Sequence, residues 1–207
     1  MRSDEPTVFL VDDDHAVRDA LELLLDSVGL RTVSYSSAAA FLEGFEKNRR
    51  GCLVLDIRMP GMSGMELQAA LAEKSVNIPI IFLTGHGNVS MSAKAFRTGA
   101  IDFMEKPFNE NVLLERIQEA IQLDQSNQAV AARRVDANTR LASLTPRERE
   151  VMLLIVAGNA NKEIATKLNL STRTIETHRG HILEKTGAQS LADLIELAIA
   201  SGSHKLI

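Results

Sequence analysis

Residues 7–14 read TVFLVDDD, a short run of apolar and β-branched residues that ends in three aspartates. Its first part, Thr7–Val11, is typical of a buried strand. Helical patterns separate this run from four similar ones at 32–35, 52–55, 78–83 and 101–104. Strands that alternate with helices favour a parallel sheet covered on both faces. The pattern therefore predicts an α/β, doubly wound sheet of five parallel strands.

Five helices are predicted from apolar residues at helical spacing. Val17, Leu21, Leu24 and Val28 mark the core face of the first helix. The later helices are marked by Phe41, Leu42 and Phe45, by Leu67 and Leu71, by Met91, Ala95 and Phe96, and by Leu114, Ile117 and Ile121.

Composition excludes several classes of protein. Hydrophobic residues make up 45% of the chain and charged residues 24%, which argues against a wholly disordered chain. The single cysteine, Cys52, cannot form an internal disulfide, so a secreted disulfide scaffold is excluded. The sequence has no apolar run of the roughly 20 residues that span a bilayer. We expect a cytoplasmic protein without a membrane role.

Charge and pattern divide the chain into two domains and a linker. Residues 1–123 carry 12 basic and 18 acidic residues, whereas residues 124–207 carry 11 and 9, so the net charges are -6 and +2. Different partners are expected for the two parts. Residues 124–143 are polar and contain neither Gly nor Pro, so they could extend the fifth helix or form a flexible tether, and we favour a partly helical linker. The predicted domains are 1–123 and 144–207.

The second domain is predicted to be all-α, with four short helices. Thr145, Pro146 and Glu148 form a capping box with Pro at the first helical position. The cap and end positions of the four helices are Thr145, Gly158, Asn161, Ser171 and Ser190. Only a few residues separate the middle two helices, as in a helix-turn-helix module.

Acidic side chains are expected at one edge of the predicted sheet. Asp12, Asp13 and Asp14 directly follow the first strand, and Asp56 directly follows the third. The carboxyl ends of parallel strands form the binding crevice of such a sheet. Converging carboxylates repel each other, and a hard divalent cation relieves that repulsion. We expect Mg²⁺ here, whereas Asp14 is expected to cap the first helix.

Two further polar side chains are expected in the same crevice, because Thr84 ends the fourth strand and Lys106 follows the fifth. The set suits phosphoryl transfer onto a carboxylate, with Asp56 as the nucleophile. Lys106 and the metal would neutralise phosphoryl oxygens, and Thr84 would donate a hydrogen bond.

The motifs VDDD, LDIRMPGMSG, FLTGHG and DFMEKPF resemble the receiver domain of bacterial two-component response regulators. This resemblance implies a flavodoxin-like fold, with Asp56 as the phosphoacceptor. It also implies that Mg²⁺, or Mn²⁺ in its place, is held by Asp12, Asp13, Asp56 and the backbone carbonyl of Arg58. Thr84 and Phe103 would be the switch pair, and Lys106 would contact the phosphoryl group. No enzyme activity is implied beyond self-catalysed phosphoryl acceptance and slow autodephosphorylation.

The third helix of the second domain has two dissimilar faces. Ile175 and Ile182, seven residues apart, are predicted to face the core. The opposite face is polar, as in a recognition helix that enters the major groove, and carries Arg173, Glu176, Thr177 and Gly180. Glu176 is expected to accept from cytosine N4, and Gly180 to permit close approach to DNA. The predicted DNA contacts are Lys162, Thr172, Arg173, Thr174, Glu176, Thr177, Arg179 and Gly180, of which Lys162, Arg173 and Arg179 would bind phosphates.

Residues 144–198 closely resemble the LuxR-type helix-turn-helix, and the whole chain is similar to response regulators of the NarL/FixJ class. The motifs TGHG, EKPF and RTIETHR are especially FixJ-like. The resemblance implies a phosphorylation-controlled, sequence-specific transcription regulator, with activation expected over repression. The implied partners are a sensor histidine kinase, promoter DNA, RNA polymerase and, on phosphorylation, a second copy of the chain.

Two hypotheses concern residues around the crevice. Arg58 and His86 lie two residues beyond Asp56 and Thr84, so their side chains are expected to tune phosphorylation and hydrolysis rates. The stretch SAKAFRTGA lacks the acidic residue expected near Lys94. This departure weakens the carry-over of the family's dimer contacts. As a separate hypothesis, Lys94 and Arg97 face Asp102 or Glu105 of a partner subunit.

Two other functions remain open from the sequence. In one, the first domain is a dimerisation scaffold that is indifferent to phosphate, but the complete set of crevice residues argues against it. In the other, the chain is a Mg²⁺-dependent phosphohydrolase with Asp12 as the nucleophile. Asp12 and Asp14 fit the Asp-x-Asp spacing of haloacid dehalogenase-type hydrolases, although Ala16 replaces the expected Thr or Val and no cap domain is evident.

Overall fold

The chain is described from a computed structural model at residues 5–46, 49–85 and 101–203. It divides into two compact units, residues 1–127 and 128–207. The elements of the first unit are β1 (Thr7–Val11), α1 (His15–Ser27), β2 (Arg31–Tyr35), α2 (Ala38–Gly44), β3 (Gly51–Asp56), α3 (Gly64–Glu73), β4 (Ile80–Thr84) and β5 (Asp102–Glu105). A long helix, α4 (Glu110–Ala142), begins in this unit and continues into the second.

The five strands form one parallel sheet in the order β2-β1-β3-β4-β5, which confirms the predicted fold class. The chain order reverses between β1 and β3, and such switch points open a crevice at the carboxyl ends of the strands. Val11 pairs with Leu55 across these two strands. Asp12 and Asp56, the residues that follow, therefore reach the edge of the sheet at the same level.

Both faces of the sheet are buried, as the strand composition predicts. One core cluster contains Phe9 and Phe82 of the strands together with Phe41 of α2 and Leu67 of α3. The other face packs against α1 and α4. The central strands β1, β3 and β4 are buried along their whole length, and their ends lead to Asp12, Asp56 and Thr84.

The first helix ends earlier than its apolar pattern predicts. Leu21 and Leu25 are its buried residues, whereas Val28 is the residue that follows the helix and is 49% exposed. The prediction that Val28 lies on the core face is therefore wrong, because the chain leaves the helical path at Ser27. The fourth strand begins at Ile80 and not at Ile78, and Pro79 just before it has no N–H to donate to a ladder.

Helix α4 contains most of the segment predicted as a linker. Its buried face in the first unit carries Leu113, Ile117 and Ala120, while the predicted Leu114 is partly buried. One turn later Asp124, only 4% exposed, accepts a hydrogen bond from the N–H of Gly51 at 3.0 Å. This hydrogen bond links α4 to the first residue of β3. In the sequence, Asp124 can be recognised as an acidic residue on the apolar face of the helix.

The helix predicted around Met91 and Phe96 lies outside the described residues. Among the described residues, no helix combines the length and the apolar character that crossing a bilayer requires.

The second unit adds four helices to the end of α4: α5 (Pro146–Val156), α6 (Asn161–Leu168), α7 (Thr172–Thr186) and α8 (Leu191–Ser201). The predicted capping box of α5 is present, and Gly158 follows that helix with φ +83°. Ser171 and Ser190 cap α7 and α8 as predicted. The prediction that Asn161 caps a helix is wrong, because Asn161 is already the first residue of α6.

Candidate functional site

Three charged side chains meet at the carboxyl edge of the sheet. The Nζ of Lys106 lies 2.6 Å from Oδ2 of Asp12 and 2.7 Å from Oδ1 of Asp56. Asp12 follows β1, Asp56 ends β3 and Lys106 follows β5. Three separate strand ends thus bring together the carboxylates and the ammonium group that the sequence places in one crevice.

Burial controls the electrostatics of this cluster. Asp12 and Asp56 are 3% and 7% exposed. Burial raises the pKa of Asp56 above its ordinary value, and bonds from Lys106 oppose this rise. Burial alone would lower the pKa of Lys106, but hydrogen bonds to both carboxylates outweigh it and raise that pKa. The ammonium group is therefore charged at neutral pH and lies beside the carboxylate oxygen that is the candidate nucleophile.

The other two aspartates after β1 take different positions. Asp13 is exposed. Asp14 accepts a hydrogen bond from the N–H of Ala16 at 2.9 Å and caps α1, as predicted. Asp14 is thereby engaged as a helix cap, which removes it from the Asp-x-Asp pair of the phosphohydrolase alternative. Sequence reasoning missed Arg18, whose Nη1 donates to the carbonyl oxygen of Asp12 at 2.7 Å; its only signal is its place four residues after the cap.

The loop after β3 folds back over the phosphoacceptor candidate. The N–H of Arg58 donates to Oδ2 of Asp56 at 2.7 Å, and the Arg58 side chain is exposed. Gly64 donates its N–H to the carbonyl oxygen of Ile57, and a Cβ on Gly64 would collide with the carbonyl oxygen of Asp56. This close approach requires glycine. The loop backbone is thereby held beside the Asp56 carboxylate, to which the N–H of Arg58 donates.

The predicted switch pair occupies neighbouring strands. Thr84 is the last residue of β4 and is 3% exposed, and its carbonyl oxygen accepts from the N–H of Lys106 at 2.6 Å. Phe103 lies on β5, is partly buried and packs against the core cluster that contains Phe82. Thr84 thus borders the Lys106 backbone, whereas Phe103 lies at the margin of the core on the neighbouring strand. His86, Lys94 and Arg97 lie outside the described residues.

The crevice offers hard oxygen donors for a metal ion. Mg²⁺ usually takes one or two protein carboxylates and keeps several waters. Asp12 and Asp56 supply two buried carboxylates, and exposed Asp13 follows the same strand end as Asp12. Within the described residues, no three His, Cys, Asp or Glu side chains converge as a preformed metal cage. The donor chemistry fits a hydrated Mg²⁺ ion.

Helix α7 has the two faces that its sequence predicts. Ile175 and Ile182 are completely buried. Its polar residues Arg173, Glu176, Thr177 and Gly180 are exposed, and a Cβ on Gly180 would meet open space. Lys162 and Thr172 are also exposed, while Thr174 and Arg179 are partly buried. The predicted DNA contacts therefore lie on α7 and at the start of α6.

Several of these side chains are held by neighbours. Thr174 Oγ1 lies 2.8 Å from Ser171 Oγ. Arg179 donates from Nη1 to Oδ1 of Asn161 at 3.1 Å, which links α7 to α6. No local sequence pattern predicts this link, because side chains eighteen residues apart meet only through the packing of two helices.

Glu148 has a second role beyond the capping box. It is 3% exposed, and its carboxylate accepts from Lys185 of α7 at 2.7 Å and 2.8 Å. The hydrogen bonds from Lys185, followed by those from Thr145, lower the pKa of Glu148 to about 2. This ion pair fastens the start of α5 to the end of α7.

Comparison with known proteins gives two family matches. The response regulator receiver domain matches residues 8–118. The luxR family of bacterial regulatory proteins matches residues 142–198. Together the two matches extend over both compact units of the chain.

Similar proteins align with this chain over most of its length. The chain is 42% identical to the transcriptional regulatory protein FixJ of Rhizobium meliloti over 95% of this chain and 96% of that protein. It is 39% identical to nodulation protein W of Bradyrhizobium diazoefficiens over 97% of this chain and 88% of that protein. The solved structure of the response regulator StyR matches with a TM-score of 0.82 and 42% identity, covering 94% of this chain and 98% of that one.

Proposed function

The chain belongs to the response regulators that join a receiver domain to a LuxR-type DNA-binding domain, and on that basis we propose that phosphorylation of Asp56 controls its binding to promoter DNA. The observation that carries this proposal is the cluster at the sheet edge. Lys106 holds both Asp12 and Asp56, and the Asp56 carboxylate ends the central strand β3. A nucleophile and a fixed positive charge are thus combined in one buried crevice.

The phosphoryl donor is the phosphohistidine of a sensor histidine kinase. A carboxylate oxygen of Asp56 attacks phosphorus, the P–N bond breaks, and the departing histidine nitrogen takes up a proton. The bond to Lys106 and the N–H of Arg58 orient the carboxylate before attack. Positioning and charge stabilisation carry such transfers, since the phosphoryl group needs little covalent help.

Lys106 neutralises negative charge at the crevice, and a bound Mg²⁺ ion would add to this neutralisation. Asp12, Asp13, Asp56 and the carbonyl of Arg58 are the ligands that we propose for the metal, and Mn²⁺ can replace it. Bound Mg²⁺ supplies positive charge to the phosphoryl oxygens. Water attack on the aspartyl phosphate, with loss of inorganic phosphate, then resets the protein slowly. These two self-catalysed reactions are the only chemistry that we assign to the chain.

Thr84 and Phe103 change conformation in response to phosphorylation. The Thr84 hydroxyl moves to donate to a phosphoryl oxygen, and Phe103 takes up the space that this movement leaves. Phe103 is only partly buried and lies one strand from Thr84, which supports a rearrangement of the pair. A ligand-driven shift of this kind needs only two packings of similar free energy.

The second unit binds DNA through α7. Exposed Arg173, Glu176, Thr177 and Gly180 approach the bases or backbone in the major groove, and Lys162 and Arg179 contact phosphates. Thr172 and Thr174 complete the contact surface. Phosphorylation favours a homodimer that binds a two-fold-related site and recruits RNA polymerase. Because the target is chromosomal DNA, we place the protein in the cytoplasm.

Intact mass tests the receiver chemistry. Wild-type protein and the Asp56→Asn variant are incubated with a small phosphodonor such as acetyl phosphate, with and without Mg²⁺. We expect one added phosphoryl group that requires both Asp56 and Mg²⁺. An adduct on the Asp56→Asn variant would contradict the assignment of the phosphoacceptor. No adduct on wild type, while a control receiver is labelled, would favour a phosphate-indifferent scaffold.

A further inference from the structure

Asn161 begins α6, but its side chain does not cap that helix. The residue before the helix is Ala160, whose N–H donates to the carboxylate of Glu163 at 2.8 Å. The carboxamide oxygen of Asn161 instead accepts from Nη1 of Arg179 at 3.1 Å. The first residue of one helix therefore holds an arginine of the recognition helix.

The chemistry of the acceptor distinguishes this contact from the ion pairs of the same unit. Carboxylates hold Arg140, Arg147 and Lys185, through Asp136, Glu150 and Glu148 respectively. A carboxylate neutralises the cation that it binds, whereas an amide oxygen is uncharged. Asn161 therefore orients the guanidinium group of Arg179 and leaves its full positive charge for another anion.

An oriented arginine suits a phosphate of the DNA backbone. Fixing a free arginine costs side-chain entropy at the moment of binding. A guanidinium group has five N–H donors, so the bond to Asn161 leaves others for phosphate oxygens. Because Arg179 is already partly buried and bonded, part of this cost is met when the domain folds. Such preorganisation increases affinity without a new contact.

We propose that Asn161 is a positioning residue, which holds Arg179 in the orientation that receives a DNA phosphate. The inference rests on the proposed DNA binding by this unit and adds to it a residue that does not itself read sequence. It also explains why an asparagine, a residue that favours helix caps, occupies the first helical position of α6.

A double-mutant cycle on the full-length protein tests this role. Affinity is measured for a duplex that the phosphorylated wild-type chain selects from a random pool, using Asn161→Ala, Arg179→Ala and the double variant. We expect Asn161→Ala to weaken binding about two- to tenfold, the effect of having to order one arginine side chain at the moment of binding. In the Arg179→Ala background, the same substitution should have no effect. Arg179→Ala should also reduce the slope of log affinity against log salt by about 0.9, the value for one phosphate.

Two further variants separate positioning from folding. Thr166→Ala removes an exposed side-chain hydrogen bond elsewhere on α6 and should leave DNA affinity unchanged. Asn161→Ser keeps a polar residue at the helix start but has no carboxamide to reach Arg179. It should weaken binding as Asn161→Ala does while the thermal unfolding midpoint stays close to that of wild type.

Independent effects of Asn161→Ala and Arg179→Ala on affinity would overturn the inference, as would wild-type affinity in folded Asn161→Ser. Failure of the phosphorylated wild-type chain to select any duplex would instead overturn the proposed function. The two failures are thereby distinguishable.

Discussion

At the scale of single residues, the chemistry depends on charges that are buried at strand ends. Asp56 must be ionised to attack phosphorus, yet burial raises its pKa. Lys106 lies between two carboxylates, and its positive charge favours the ionised form of Asp56 at neutral pH. The contacts that set this balance can be tested through pH.

As the pH is lowered, the rate of Asp56 phosphorylation should begin to fall at a higher pH than it would for an ordinary aspartate. The nucleophile is the ionised carboxylate, and its pKa lies above the usual 3.8, so protonation begins at a higher pH. We expect Lys106→Met to move the loss of rate to still higher pH, because the ammonium group that opposes the rise is gone. Intact-mass time courses with acetyl phosphate and a subsaturating concentration of Mg²⁺, between pH 4 and 8, measure this, because the rate then follows the ionisation of the metal-free site. Identical profiles for wild type and Lys106→Met would contradict it.

The ion pair between Glu148 and Lys185 predicts that the second unit loses stability at acidic pH. The folded pKa of about 2 lies below the ordinary 4.5, so the ion pair stabilises the folded unit above pH 4.5 and loses this effect as pH falls toward 2. Lys185→Met should lower the midpoint of thermal unfolding at pH 7 and reduce its dependence on pH across this window. Circular dichroism of the full chain and hydrogen exchange of α5 report the change.

Lys167→Met is the matched control for that prediction. The Nζ of Lys167 bonds to the amide of Asn159, which does not titrate, so this variant should keep the pH dependence of wild type. An equal loss of pH dependence in both lysine variants would show that Glu148 is not the group responsible.

At the scale of helices and strands, Gly180 is a poor helix former in the middle of α7. Gly180 lies within α7, on its exposed face, and a Cβ there would meet nothing. Gly180→Ala should therefore stabilise the helix by about 1 kcal/mol, the difference in helix propensity. It should weaken DNA binding, because the added methyl group meets the groove. Thermal unfolding and anisotropy titration measure the two effects; unchanged affinity would exclude close approach at Gly180.

The attachment of α4 can be followed with the single cysteine. Cys52 is completely buried on β3, and its burial, together with the nearby charge of Asp124, raises its pKa to about 12. It should be inert to a thiol reagent at pH 8 in folded wild type. Asp124→Ala leaves the N–H of Gly51 without this acceptor, at a cost of about 1–3 kcal/mol. Cys52 should then react faster.

Asp136→Ala, an exposed change on the same helix, is the control for the Asp124 experiment. Its rate of Cys52 labelling should equal that of wild type. Equal rates in Asp124→Ala would show that the Asp124 hydrogen bond does not secure this end of the sheet.

Local patterns in the sequence predict most elements of this molecule but not the contacts between distant residues. The strands are found because runs buried on both faces must be apolar, and the caps Thr145, Ser171 and Ser190 because they satisfy nearby N–H groups. The predictions that Val28 lies on the core face of α1 and that Asn161 caps α6 are wrong, because apolar spacing and capping preference do not determine the residue at which a helix starts or ends. The bond between Arg179 and Asn161, eighteen residues apart, depends on packing that no local pattern encodes.

At the scale of the whole molecule, the chain contains two units with different chemistry. One carries Asp56 in an acidic crevice, and the other presents exposed Arg173 and Glu176 on a recognition helix. Helix α4 runs from one unit into the other without interruption. The central claim is that phosphorylation of the first unit changes the DNA affinity of the second.

Fluorescence anisotropy with a duplex selected by the phosphorylated chain tests that claim most directly. Affinity is measured for wild type and Asp56→Asn before and after treatment with acetyl phosphate and Mg²⁺, with the phosphorylated fraction determined by intact mass. We predict that phosphorylated wild type binds at least about tenfold more tightly, within the usual range of coupling between two sites, and that the variant does not change. Equal affinities of phosphorylated and unmodified wild type, or the same gain in Asp56→Asn, would contradict the account.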